Sequence, residues 1–242
     1  TLHDFGTKST SVIEKDLLKF SNERKMELIL PCLYSELEGT ALPNIVEEIS
    51  KTKYLDHIIV GLDRANENQA KNAWKFFKKL KSPFSILWND GPGLKILDKE
   101  LREKDLAPSE LGKGRNVWYC LGMSIARNSA RSVALHDCDI KTYDRRMLAK
   151  LFYPVVNPLF NFEFCKGYYP RVANNKMNGR VARLLVFPLL TALEKTIGKS
   201  DYLEFMKSFK YPLAGEFSFR RNVLPELRIS SDWGIEVGIL SE

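Results

Sequence analysis

The sequence predicts an α/β fold on a mostly parallel central sheet, and three observations carry that prediction. Short β-rich runs alternate with helix-periodic segments through the first ~140 residues, the pattern of consecutive βαβ units. Apolar residues make up 44% of the 242 and charged residues 28%, enough to bury a core and too balanced for a disordered chain. Nothing approaches the roughly 18 uninterrupted apolar residues of a membrane-spanning helix.

The strand candidates are 26–30, 57–60, 84–88 and 132–136, each rich in β-branched or aromatic residues. Between them, 42–51, 67–80 and 117–128 repeat apolar residues at helical spacing. In 67–80, residues Ala70, Ala73, Trp74, Phe77 and Leu80 share one face and lysines take the other, so this basic stretch reads as a surface helix. Residues 1–25 form an N-terminal helical extension, 26–140 a ligand-binding α/β half and 141–242 a second half. In that second half 163–169 reads as a strand, 180–195 as a helix interrupted at Pro188, and 201–210 as a short amphipathic helix. The stretch 211–221 (YPLAGEFSFRR) reads as a strand lining a cleft.

Charge and cysteine content narrow the chemistry only in part. Thirty-seven Lys and Arg against 30 Asp and Glu give a formal charge of +7, which favours anionic partners without choosing among them. No helix-turn-helix or RNA-binding signature accompanies the basic residues, so nucleic acid is not an expected partner. Cys32, Cys120, Cys138 and Cys165 lie far apart with no CxxC pair and read as reduced, mostly buried thiols. The opening TLHDFGTKST lacks the basic and apolar regions of a signal peptide, so a cytoplasmic protein with no membrane attachment is expected.

In open α/β sheets ligands gather outside the carboxyl ends of the strands. There the sequence places Pro31-Cys32-Leu33, Gly61-Leu62-Asp63, Asn89-Asp90-Gly91 and Asp137-Cys138-Asp139. Neither GxGxxG after the first strand nor GxxxxGK[ST] anywhere is present, which removes support for dinucleotide and P-loop folds. The two aspartates of RSVALHDCDI supply hard oxygen ligands of the kind Mg2+ or Mn2+ prefers, together with phosphate oxygens and water, so a metal facing a diphosphate is expected. Upstream, Gly112-Lys113-Gly114 offers a compact phosphate-seeking charge on a loop that leads into a helix.

Taken in order, PCLYSE, GKG, DCD, KGYYPR, NGRV, PLAGEFSFRR and GIEVGIL resemble the glucosyl-3-phosphoglycerate synthases, retaining glycosyltransferases of the A-type, Rossmann-like fold. The resemblance runs from about Met26 to the last residue. It implies that Pro31, Leu33 and Glu36 border the uridine of a nucleotide-sugar donor, that Lys113 contacts the donor, and that Asp137 and Cys138 meet its ribose or phosphates. Asp63, at the end of the second strand, joins these donor candidates. Asp139 becomes the metal ligand, the Leu213 backbone lies beside sugar and attacking hydroxyl, and Glu236 binds the sugar hydroxyls. Gly179 and Arg180 would hold the phosphate and carboxylate of the acceptor.

The implied reaction is metal-dependent transfer of glucose from UDP-glucose or a related donor to 3-phosphoglycerate by a homodimer. Two features depart from the family pattern. Gly179-Arg180-Val181-Ala182 carries alanine where the family has threonine, which leaves room for another small anionic acceptor. A metal-binding histidine is expected about two dozen residues past GIEVG, beyond Glu242; His3, His57 and His136 do not match it. A non-catalytic nucleotide-sugar-binding module is the reading from another class. Independently, Glu236, flanked by Ile235, Val237 and Ile239, has the alternative reading of the outward residue of an amphipathic strand.

Overall fold

The computed structural model describes residues 8–169, 172–173, 176–177, 179–231 and 234–242. Its strands are β1 (Met26–Leu33), β2 (Leu55–Asp63), β3 (Phe84–Trp88), β4 (Ser132–Leu135), β5 (Phe164–Lys166), β6 (Val172–Ala173), β7 (Lys176–Met177) and β8 (Phe217–Arg220). Six of them form one sheet in the order β3-β2-β1-β4-β8-β5, while β6 and β7 pair separately. The pairs β1–β2, β2–β3 and β1–β4 are parallel, and β8 runs antiparallel to both β4 and β5.

Helices cover both faces: α1 (Thr10–Phe20), α2 (Ala41–Ser50), α3 (Glu67–Phe77), α4 (Pro92–Arg102), α5 (Lys113–Arg127), α6 (Arg145–Val156), α7 (Phe187–Ile197), α8 (Asp201–Ser208) and α9 (Ile235–Ser241). Along β1 the apolar run needs no alternation, because Leu28 and Leu30 join the core under α1, α2 and α6 while Ile29 joins the core under α5 and α9. Glu27, on the same face as Ile29, is fully buried and is satisfied by the Arg127 guanidinium at 2.9 Å and the Ser124 hydroxyl. None of the described helices is long and apolar enough to cross a membrane.

Several expected boundaries shift. The parallel ladder continues through Pro31↔Gly61, Cys32↔Leu62 and Leu33↔Asp63, so these residues end β1 and β2 rather than following them. Pro31 is tolerated because β4 has already ended opposite Ile29, leaving β1 only one ladder there. Glu36 then falls in a 3-10 turn, Tyr34–Glu38. Helix α5 begins at Lys113, so this lysine is the first helical residue and not part of a loop.

In the second half the expected strand 163–169 shortens to β5. Within 211–221 only Phe217–Arg220 is a strand, preceded by a turn in which the Ala214 amide donates to the Tyr211 carbonyl at 3.2 Å. The expected interruption at Pro188 is present: a π-helical turn, Ala182–Val186, gives way at Phe187 to α7, which carries Pro188 in its first turn, where no regular bond is asked of the proline nitrogen. Residues 235–241 are helical, not extended, because Ile235, Ile239 and Leu240 together face buried apolar neighbours and packing overrides β-branched preference. Helices α4 and α6 have no counterpart in the sequence reading.

Candidate active site

Sheet order reverses between β1 and β4: β2 and β3 follow β1 on one side, and β4 lies on the other. A crevice opens where crossovers leave in opposite directions. The ends of the two strands put Pro31 and Leu33 on one wall and Asp137-Cys138-Asp139 on the other. Glu36, on the turn after β1, feels the acidic wall opposite. Burial first, then the charges of Asp139 and Asp137, push its carboxyl above the ordinary range.

Lys113, from the first turn of α5, is the link across the site. Its Nζ lies 2.5 Å from Asp137 Oδ1 and 2.7 Å from Glu236 Oε1, tying the end of β4 to the first turn of α9. All three side chains keep part of their surface open, 21% for Lys113, 28% for Asp137 and 19% for Glu236. Burial opposes the Lys113 charge, yet the two carboxylates outweigh it and raise the ammonium's pKa. Burial raises the Asp137 carboxyl, with Lys113 pulling the other way.

Asp139 is exposed and Cys138 is buried. The Cys138 thiol rests against that of Cys32, and this contact together with burial pushes it well above its ordinary value. Its side chain is therefore spent on packing. Asp63 accepts the Arg64 amide at 3.1 Å, and burial raises its carboxyl beside Asp90.

A second cluster backs this one. Glu216 is buried and accepts the Tyr169 hydroxyl at 2.7 Å; burial and then the Asp137 charge raise its carboxyl. The Lys166 ammonium, at the end of β5, donates to the Ala214 carbonyl at 2.7 Å and the Glu236 carbonyl at 3.1 Å. The turn carrying Leu213, which is half-buried, thus sits beside the acidic cluster. The sequence reading passes over Lys166, Tyr169 and Glu216, although KGYYPR and PLAGE contain all three. A basic or acidic residue embedded in an otherwise apolar and turn-rich motif is the signal that could have found them.

Beside Lys113 and Asp137, close approach demands glycine at Gly215 and Gly114. A Cβ at Gly215 would stand 2.1 Å from Asp137 Oδ2, so only glycine lets the turn pass under that carboxylate. At Gly114 it would stand 1.7 Å from the Ser230 carbonyl, and the Arg115 amide donates to Ser231. The glycine after Lys113 therefore admits the chain's own backbone.

Other candidates stand apart. Gly179 has a φ of +87° and Arg180, exposed, opens the helical run that leads into α7. Among the described residues no hydrogen bond or ion pair joins Arg180 to the Lys113 cluster. His136 is fully buried with both ring nitrogens unpartnered, edge-on to Tyr143 at 5.4 Å, and burial lowers its pKa to about 3. His57 is buried beside the Ser85 hydroxyl at 2.9 Å, and His3 lies outside the described residues.

Hard oxygen donors at the β1–β4 crevice fit a divalent cation: Asp139 is free to bind, and Asp137 and Glu36 add negative charge beside it. Among the described residues no three ligating side chains converge, so phosphate oxygens and water would have to complete the shell.

Across all its residues the chain is 44% identical to the glucosyl-3-phosphoglycerate synthase of Persephonella marina and 37% identical to that of Methanococcoides burtonii. It spans 60% of the length of each of these relatives. Among solved structures, glucosyl-3-phosphoglycerate synthase from Mycobacterium tuberculosis in complex with Mn2+, UDP and phosphoglyceric acid is similar with a TM-score of 0.65. The two chains are 22% identical, over 94% of this chain and 66% of that one. No family model matches. The chain thus resembles this family over its whole length, and its fold is the glycosyltransferase A-type.

Proposed function

We propose that this chain carries the active site of a retaining glycosyltransferase that moves glucose from UDP-glucose to 3-phosphoglycerate. The observation that carries the reading is the Lys113 bridge between Asp137 and Glu236 at the carboxyl edge of β4, in a chain 44% identical to an enzyme of that name. The complex of the M. tuberculosis enzyme with Mn2+, UDP and phosphoglyceric acid supports the same nucleotide, metal and acceptor here.

In this reading Pro31, Leu33, Glu36 and Asp63 border the nucleoside, and Asp139 holds Mg2+ or Mn2+ against the diphosphate. The cation supplies charge neutralisation for the departing diphosphate. Lys113 already points its ammonium into the crevice and can turn from the carboxylates to a phosphate oxygen as charge develops. Asp137 and the Cys138 main chain line the ribose and phosphates. Glu236 accepts hydrogen bonds from the sugar hydroxyls, and the Leu213 carbonyl stands beside the anomeric carbon.

The acceptor, held by Gly179 and Arg180, attacks from the face the leaving group vacates. Its hydroxyl oxygen bonds to the anomeric carbon as the bond to the diphosphate breaks, and its proton passes to the departing phosphate oxygen. A dimer in the cytoplasm completes the proposal. The exposed leucines of α7 support a covered interface there.

Ala182 favours a second reading, in which the acceptor is another small anion that does not need the threonine hydroxyl. The test is a screen of nucleotide-sugar donors against 3-phosphoglycerate and related phosphorylated or carboxylic acceptors, with and without Mg2+ or Mn2+. Metal-dependent formation of glucosyl-3-phosphoglycerate supports the first reading. Turnover with a different acceptor supports the second, and UDP binding without any UDP release from UDP-glucose would leave only a binding module.

A further inference from the structure

We infer that Lys166 is a positioning residue of the sugar subsite, fixing the Leu213 turn relative to Glu236 by holding one main-chain carbonyl from each. The inference rests on the donor reading above.

Lys166 ends β5, the last strand of the sheet, and reaches inward. Its ammonium spends one hydrogen on the Ala214 carbonyl at 2.7 Å and another on the Glu236 carbonyl at 3.1 Å. It also lies 5.4 Å from the centre of the Phe217 ring, whose face attracts a cation. No carboxylate comes within ion-pair distance of it among the described residues, although Glu216 and Glu236 are near enough for their charges to be felt. A lysine free to choose would extend its charge into water. Burying an ammonium against neutral carbonyls is costly, and here burial brings its pKa down to about 8.

What the arrangement secures is a distance. The segment at Ala214 is a turn, and α9 is a seven-residue helix entered through Gly234 at φ +104°. Glu236 is held at both ends: its carboxylate by Lys113 and its carbonyl by Lys166. In the proposed reaction Lys113 turns toward the diphosphate, which releases the carboxylate for the sugar hydroxyls. The Lys166 contact is unaffected by that change, so the carboxylate stays registered to the Leu213 carbonyl when it is needed. A shift of an ångström at such a subsite is worth on the order of 100-fold in rate while leaving the nucleotide anchor alone.

The experiment compares wild type, Lys166→Met and Lys166→Arg for UDP affinity in the presence of Mn2+, for kcat and KM with UDP-glucose, and for thermal unfolding. Lys166→Met should bind UDP within about twofold of wild type while kcat falls on the order of 100-fold. Lys166→Arg, which keeps a cation and its donors, should recover part of the loss. Should the methionine variant fail to fold, Lys166→Gln, a polar side chain too short to hold both carbonyls, is expected to show the same split between UDP affinity and kcat. Near-wild-type kcat in a folded Met or Gln variant would overturn the inference, as would loss of UDP affinity in step with kcat. A wild-type protein that neither binds UDP nor turns over UDP-glucose would instead sink the donor reading, and this inference with it.

Discussion

The walls of the crevice and the helical segment 179–208 are built on opposite terms. Around the crevice every element is braced to another. Lys113 joins α5 to the end of β4 and to α9; the Asn116 amide donates to the Gly61 carbonyl at 2.7 Å; and Gly215 lets a turn lie directly against Asp137. Beyond Gly179, α7 and α8 share a small core of Leu190, Leu203 and Met206 with Leu240 of α9. They leave Leu184 72% exposed and Ile197 70% exposed, with Leu185 and Leu189 on the same helical run also open. In the proposed reaction the braced groups of the crevice are those that meet developing charge, and the protein itself preorganises them. The apolar face of α7 is left open by the contacts within the chain.

The sharpest way to break that comparison is to remove one preorganised charge. Asp139 is exposed and supports no packing, so Asp139→Ala should leave the unfolding transition in place while metal-dependent turnover falls about 100- to 1000-fold. Purified, folded Asp139→Ala with wild-type turnover would remove the metal from that position.

Gly215→Ala tests bracing rather than charge. The new methyl group must displace the Asp137 carboxylate or the turn, so stability should fall by about 1–3 kcal/mol and UDP affinity with it. Gly93→Ala, whose methyl group would meet nothing within 4 Å on α4, should be neutral or slightly stabilising. Equal melting temperatures for the two variants would show that the crevice is not tightly built.

On the other side, Arg180→Ala should raise the acceptor KM by roughly 10-fold, the loss of one charge-assisted contact, with the donor KM unchanged. Ala182→Thr should improve use of 3-phosphoglycerate if that is the acceptor. Parallel changes in both KM values would merge the two regions into one site. The smallest effect belongs to the exposed stripe. Leu184→Lys and Leu189→Lys should change the stability of the isolated chain by no more than about 0.5 kcal/mol and leave UDP binding intact. Light scattering would then show whether self-association has been lost. Weakened UDP binding in these variants would mean that α7 supports the crevice after all.

Much of the fold was legible because its first half obeys local rules. The runs 84–88 and 132–136 became β3 and, less one residue, β4, and 67–80 became α3, where Asn66 and Gln69 form the reciprocal cap expected of a helix start. Trp74, expected on the buried face, is instead 46% exposed and packs on Phe84 at 4.9 Å. The acidic pair and the lysine between glycines could be named from residue type and spacing, since hard oxygens and a compact ammonium are what a metal diphosphate requires.

The sequence by itself therefore determined the α/β class, the strand ends that border the crevice and the hard-oxygen and ammonium side chains gathered there. Each of these follows from periodicity or from the chemistry of a side chain. Tertiary structure alone decided that β8 inserts antiparallel between β4 and β5 and that 235–241 is a helix. It also decided that Lys113 and Glu236, 123 residues apart, meet at 2.7 Å, and that Lys166 holds two carbonyls. These outcomes depend on which buried faces find one another, and long-range packing energy leaves no local period in the chain.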